Sequence, residues 1–234
     1  MTQSAIANPQ SAIRPPTYPA RPVNGGPLPK ALPKSNGPGG SPWYYEPKLN
    51  DWRGLLHRET GALFNRRLEP LSIAGQFANA TEILSDAIND PALDWLDVMC
   101  LGRRIPLGKG SLVLLDAPLA PGDWTARQER LHQLVDAGAA QPWAHEQFLP
   151  PENAVLSFAY RYEDEACQRA QGATVIDPDL FPAAAWPRLQ AINKQIGHTL
   201  FEGLVAKRTD SPYPRQLRNP ELDFPFWVKH RWAF

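Results

Sequence analysis

Glu46-Pro47-Lys48-Leu49-Asn50-Asp51-Trp52-Arg53-Gly54-Leu55-Leu56-His57 (residues 46–57, EPKLNDWRGLLH) decides how this chain is read. It sets a lysine between apolar neighbours and an arginine five positions on, then runs into an apolar stretch of strand length. Trp52 to His57 and Ala62 to Arg66 flank Glu59-Thr60-Gly61, which predicts a hairpin between two short strands. Phe77 to Asn89 has helical spacing (Phe77, Ala80, Ile83, Leu84, Ala87, Ile88), and Pro91 stops it. Leu93 to Leu101 and Ser111 to Asp116 read as buried strands, Trp124 to Ala137 as a helix ending at Gly138, and Ala154 to Tyr160 as a strand leading into the acidic turn Glu163-Asp164-Glu165. A second long helix is predicted from Ala184 to Phe201, with Trp186, Leu189, Ile192, Ile196 and Leu200 on one stripe. Two strand-like pieces follow, Gly203 to Arg208 and Phe226 to Trp232, joined by a proline-rich loop. Strands and helices interleaved in this irregular way predict an α+β fold with largely antiparallel sheets flanked by helices, and no internal repeat is visible.

Upstream of this stretch, residues 1–42 are crowded with proline, glycine, serine and asparagine, and the segment is read as a disordered leader with a single domain over 43–234. The leader is read as a solubilising tail, although its scattered Arg14, Arg21, Lys30 and Lys34 have the chemistry to touch phosphates. Trp43, Tyr44 and Tyr45, where order is expected to begin, are read as covering an edge of the core rather than stacking on a base. Lysine plus arginine and aspartate plus glutamate number 24 each, so the net charge announces no partner, and a basic groove would have to come from clustering on one face. The two cysteines, Cys100 and Cys167, have neither the spacing of a zinc site nor that of a disulfide framework, which fits a reducing compartment. The five histidines show no metal-ligand spacing, and Leu107-Gly108-Lys109-Gly110-Ser111 lacks the full spacing of a phosphate loop. No run approaches the roughly 18 apolar residues of a membrane span, and a cytoplasmic protein without a membrane partner is expected.

Four segments in one order carry a resemblance. Lys48-Leu49-Asn50-Asp51-Trp52-Arg53 resembles the K-x-D-G-x-R motif I of the covalent nucleotidyltransferases, the superfamily of DNA ligases, RNA ligases and mRNA capping enzymes. Phe64-Asn65-Arg66 resembles the family's S-R-N-type segment, Glu202-Gly203-Leu204-Val205-Ala206-Lys207 its motif IV, and Trp227-Val228-Lys229-His230-Arg231 its motif V, W-x-K-x-K. Trp95-Leu96-Asp97-Val98-Met99 stands in the place of motif III and Leu112 to Asp116 in that of motif IIIa. The departures are specific. Asn50 replaces the aspartate and Asp51 the glycine of motif I, Met99 the glutamate of motif III, Leu115 the aromatic that stacks on the base, and Arg231 the second lysine of motif V.

The resemblance implies a ligase- or capping-enzyme-type nucleotidyltransferase domain over Tyr45 to Trp232, with ATP and Mg²⁺ as cofactors and nucleic-acid ends, DNA slightly before RNA, as partners. It implies Lys48 as the nucleophile that forms lysyl-AMP, with Lys229 and Arg231 as catalytic cations. Glu46 is placed at the adenine, Arg53, Arg66, Leu115, Glu202 and Lys207 at the nucleotide, and Glu202 with Asp97 at the metal. Family members continue into an OB-fold domain, for which no room follows Arg231, so the expectation is either a partner protein supplying that function or a loop and tail standing in for it. Two alternatives stay open. One is a protein of the same fold that binds nucleotides or nucleic-acid ends without catalysis; the other is a capping-type guanylyltransferase.

Physical chemistry constrains the implied nucleophile. A lysine amine attacks phosphorus only as the neutral base, and a free lysine with a pKa of about 10.4 is almost wholly protonated at neutral pH. Burial and neighbouring cations both disfavour the ammonium, and Arg53, Lys207, Lys229 and Arg231 are the available cations. In an extended strand residues two apart share a face, so Trp227, Lys229 and Arg231 are expected to project together, with Val228 and His230 opposite. By the same parity Glu202 and Lys207 are expected on opposite faces, with the site role falling to Glu202 first.

Overall fold

The computed structural model describes residues 13–28, 43–143, 149–158 and 181–232. In chain order the elements are β1 (Pro22–Leu28), β2 (Trp43–Leu49), β3 (Trp52–His57), β4 (Ala62–Phe64), α1 (Ala78–Ala87), β5 (Trp95–Cys100), β6 (Leu112–Asp116), α2 (Trp124–Asp136), β7 (Gln141–Pro142), β8 (Val155–Ser157), α3 (Phe181–Ile196), β9 (Phe201–Arg208) and β10 (Phe224–Trp232). They build a four-stranded sheet, β1-β10-β9-β2, and a six-stranded sheet, β4-β3-β5-β6-β8-β7.

The hairpin forms as expected, with His57 opposite Ala62 and Gly61 at a φ of 65° that suits glycine. Short 3-10 turns, Ala74–Phe77 and Pro91–Leu93, take the predicted ends of the first helix and of the strand before Cys100. The second turn is started by Asp90, whose side chain accepts from the Ala92 amide at 2.9 Å. The acidic turn 163–165 and Cys167 lie outside the described residues.

Both sheets are mixed. The β2–β9, β9–β10, β3–β4, β3–β5 and β5–β6 pairs are antiparallel, whereas β1–β10, β6–β8 and β7–β8 are parallel. Parallel β8 and β1 come from segments whose register nothing local in the sequence fixes.

One domain boundary is corrected. Residues 13–28, read as part of a disordered leader, are packed into the domain: β1 runs parallel to β10, and Thr17 donates to the Pro214 carbonyl at 2.7 Å while accepting from the Gln216 amide at 2.9 Å. Ala20 is 1% exposed, and the Arg21 guanidinium pairs with Glu221 at 2.6 Å and Asp223 at 3.2 Å. Proline is compatible with such an edge strand because it lacks only the N–H that an edge can leave unpaired. Residues 1–12 and 29–42 lie outside the described residues.

The main core lies between the sheets. Tyr45, Leu49, Leu204 and Ala206 of the four-stranded sheet meet Met99, Val113 and Leu156 of the six-stranded sheet, and Leu189 and Ile192 of α3 close one side. A second core packs Ala80 and Leu84 of α1 and Leu131 and Leu134 of α2 on Leu56, Val98, Leu112 and Leu114. Tyr45 is thus in the core, as expected for an edge-covering aromatic, and Tyr44 lies 4.5 Å from the Trp124 ring. Among the described residues no helix is long and apolar enough to cross a membrane.

Candidate active site

Lys48, Gly203 and the last strand meet in one place because β9 lies between β2 and β10. Lys48 is in register with Gly203, and Gly203 with Arg231. Gly203 permits this close approach: a Cβ there would sit 1.8 Å from the His230 carbonyl oxygen. A cavity of about 660 Å³ opens beside the three strands, within the usual range for small-molecule sites. Lys48, Glu46, Glu202, Lys207, Lys229 and Arg231 all line it, together with Arg53, Arg66, Leu115 and Met99.

The side chains are arranged in pairs. The Lys48 ammonium donates to Glu202, and the opposite oxygen of Glu202 faces Arg231 Nε at 3.3 Å. Lys207 Nζ lies 2.7 Å from Glu46, donates to the Leu115 carbonyl at 3.0 Å, and sits 4.2 Å above the Trp227 ring. Cation, carboxylate and ring are all buried there, so Lys207 and Glu46 form a fixed floor rather than mobile charges. Burial pushes the Glu46 carboxyl up, against the pull of Lys207.

Lys48 is the cation whose environment changes its acidity most usefully. Its pKa is lowered, first by burial, then by Arg231 and Lys229, while the bond to Glu202 pulls the other way. Arg53 and Lys207, expected to share this task, are committed elsewhere. The Lys229 pKa is itself lowered by burial and by Arg21 and Arg231, and among the described residues its side chain makes no ion pair or hydrogen bond. A second cation, Arg66, is exposed at the cavity and likewise unpaired; the Asn65 side chain accepts from the Arg67 and Glu69 amides and shapes the turn that holds it.

Strand parity holds for β10 and fails for β9. Trp227, Lys229 and Arg231 face the cavity, while Val228 and Trp232 pack on the main core. In β9, Glu202 and Lys207 share the cavity face, contrary to the expectation of opposite faces. The cause is a bulge: Lys48 pairs with Gly203 and Leu49 with Phe201, which leaves Glu202 as an extra residue and resets the alternation before Val205.

Asp97 is corrected as a metal ligand. It is fully buried, and its two oxygens face Arg53, with Nε at 2.7 Å, and the Tyr213 hydroxyl at 2.6 Å. It does not line the cavity. Burial and the Asp97 charge hold the Tyr213 phenol neutral, which keeps it a donor. Arg53 in turn donates to the Ala20 carbonyl and lies 5.4 Å from the Trp227 ring centroid, so its role is to tie β3, β5, β10 and the N-terminal segment together. Asp116, opposite Asp97 in the β5–β6 ladder, is held by the buried Arg127 guanidinium at 2.7 and 3.0 Å.

The donor set fits Mg²⁺ only in part. Among the described residues no group of three His, Cys, Asp or Glu side chains is placed to hold a metal ion. Glu202 is a cavity carboxylate within reach of a phosphate at Lys48, and Mg²⁺ is ordinarily bound through one or two carboxylates plus substrate phosphates and water. The cavity carboxylate beside Lys48 that could take such an ion is Glu202, which here pairs with Lys48 and Arg231.

Arg21, read as part of a solubilising leader though chemically fit for phosphates, lines the cavity. Sequence reasoning missed Arg104 and the exposed Trp52, which line it from the motif I segment and the turn after β5. Asp51, at the glycine position of motif I, is buried and accepts from the amides of Trp52, Arg103 and Arg104 at 2.9, 3.2 and 3.0 Å. Asn50 donates to the Thr199 carbonyl and accepts from Arg104, a structural use of a position the resemblance assigns to the site.

No family model and no curated protein matches the chain. Among solved structures it is similar to the ligase domain of LigD from M. tuberculosis, at 14% identity and a TM-score of 0.47, covering 92% of this chain and 59% of that one. It is similar to a Lig E DNA ligase described as binding DNA with a minimal scaffold, at 13% identity and 0.46, covering 94% and 69%. It is also similar to the Chlorella virus DNA ligase-adenylate, at 11% identity and 0.43, covering 92% and 69%. Over more than nine-tenths of its length the chain is thus similar to DNA ligase structures, of whose chains it spans between 59% and 69%.

Proposed function

We propose that this protein is an ATP-dependent, polynucleotide ligase-like adenylyltransferase that acts on nucleic-acid ends, DNA before RNA. The observation that carries the reading is Lys48: a lysine with a lowered pKa, on a nucleotide-sized cavity, flanked by Glu202 and two further cations. In its neutral form the Lys48 amine attacks the α-phosphorus of ATP. The N–P bond forms, the bond to pyrophosphate breaks, and the nitrogen gives up a proton to water. Lys229 and Arg231 neutralise charge that builds on the α-phosphate, and Arg231 offers a fork suited to phosphate oxygens.

Glu202 opposes the neutral amine while it bonds Lys48, whereas burial and the Arg231 and Lys229 charges favour it. Glu202 would hold Mg²⁺ together with the phosphates of the nucleotide, where the ion would supply charge neutralisation. Glu46 and Lys207 form the floor on which the base rests, with Leu115 and Met99 as apolar contacts where the family places an aromatic and a carboxylate. In the following steps a 5′-phosphate oxygen attacks the adenylate phosphorus and releases the lysine, and a 3′-hydroxyl then displaces AMP.

Incubation with α-labelled ATP and Mg²⁺ followed by denaturation tests the reading: ATP leaves a covalent label and GTP leaves far less. A second reading, a protein of this fold that binds nucleotide or nucleic-acid ends without catalysis, is favoured by Met99 facing the cavity in place of a carboxylate. Saturable ATP binding with no covalent label at any Mg²⁺ concentration would establish that alternative.

A further inference from the structure

Part of the cavity lining, around Trp52 and the turn after β5, has no role in the adenylation chemistry proposed above. Trp52 is 37% exposed and lines the cavity, and the Arg103 guanidinium lies over its ring, 5.2 Å from the centroid. Arg104, exposed and also lining the cavity, follows in the same turn. That turn is not loose. The buried Asp51 carboxylate gathers the amides of Trp52, Arg103 and Arg104, and Gln76 Oε1 accepts from Arg103 Nη1 at 2.7 Å. A carboxylate taking three amides fixes ring and guanidinium before any ligand arrives, which lowers the ordering cost of binding.

We propose that Trp52, Arg103 and Arg104 form a platform for the unpaired terminal nucleotide of a 5′-phosphorylated strand, its base stacked at Trp52 and its backbone phosphate held by Arg104. This rests on the reading of the protein as acting on nucleic-acid ends. An exposed indole backed by a guanidinium is the chemistry that takes a base face without regard to sequence, and the neighbouring exposed Arg104 fork, one Nη of which donates to Asn50 at 3.2 Å, takes a phosphate with its remaining donors. Bases inside a duplex present no free face, so the platform selects an overhanging or frayed end. Asp51, which interrupts the motif I pattern, is on this account the positioning residue of the platform.

The test is binding without ATP, where no covalent step occurs. Fluorescence anisotropy compares a fluorescein-labelled duplex bearing a 5′-phosphorylated single-stranded overhang with the same duplex made blunt. The overhang is expected to bind more tightly, and Trp52→Ala to weaken overhang binding about 5- to 100-fold with little effect on the blunt duplex. Trp52→Phe keeps an aromatic face and retains most of the preference. Arg104→Ala lowers the slope of log affinity against log salt by about one. A wild-type protein that does not distinguish the two duplexes, or a Trp52→Ala variant that keeps the full preference, overturns the platform. Covalent labelling of the unaltered protein is scored separately. Labelling with an unchanged preference in Trp52→Ala removes the platform alone, and an overhang preference lost in Trp52→Ala without any labelling removes the adenylation reading alone.

Discussion

Replacing Asp97 by alanine leaves the Arg53 guanidinium and the Tyr213 hydroxyl without their shared acceptor. Removing one member of a buried ion pair costs about 3–5 kcal/mol, because the remaining charge stays desolvated. Arg53 keeps 21% of its side-chain surface at the cavity, so water can partly resolvate it and the lower part of that range, about 3 kcal/mol, applies. For a chain of this size each kcal/mol moves Tm by roughly 2–4 °C, which gives a fall of about 6–12 °C. Asp116→Ala is the internal comparison. Its partner Arg127 is fully buried, as is Asp116 itself, so no such relief is available. About 5 kcal/mol and a fall of roughly 10–20 °C are expected there. Thermal and urea melts of both variants, with and without ATP and Mg²⁺, measure the ranking. An Asp97→Ala protein as stable as wild type that needs far more Mg²⁺ for labelling would refute the structural role and restore Asp97 to the metal site.

The cation pair on β10 gives a graded series in single-turnover labelling. Lys229→Ala is expected to slow labelling about 10²- to 10³-fold, and Arg231→Lys to be far milder than Arg231→Ala. The pH profile follows from the lowered pKa of Lys48: the labelling rate rises as the amine deprotonates and levels off below the pH needed for a free lysine. Arg231→Ala removes a cation that disfavours the ammonium, so its rise moves to higher pH; a rise that stays put or moves down contradicts the proposed electrostatics. Deleting residues 1–28 removes β1 from β10, the Thr17 bonds and the Ala20 acceptor of Arg53, and a clear drop in melting temperature is expected.

Much of the fold was legible where the pattern is local. The strands carrying Leu56, Val98 and Leu114 and the helix carrying Leu131 and Leu134 follow from period and turn residues alone. Arg127 lies on that helix's buried stripe, three residues after Trp124 and four before Leu131, and a cation there was a readable sign of a buried carboxylate partner. The pairing of β1 was not legible, since a strand of prolines and glycines has no apolar alternation and gains its order from the edge of β10. Nor was the face of Glu202: parity counts every residue, and a bulge is set by the partner strand and by the room that Gly203 leaves for His230. Tyr213, in a proline-rich loop, carries no local signal of its bond to Asp97 across more than a hundred residues of chain. What the ordered motifs did supply was the set of charges, and Lys48, Glu202, Lys229 and Arg231 all line one cavity.

The most direct measurement is peptide mapping of the protein after incubation with ATP and Mg²⁺. The account predicts the mass of one AMP on the peptide that contains Lys48, a phosphoramidate lost in acid and stable in base, and no adduct on Lys48→Ala. An AMP adduct on another lysine, or undiminished adduct on Lys48→Ala, would contradict it.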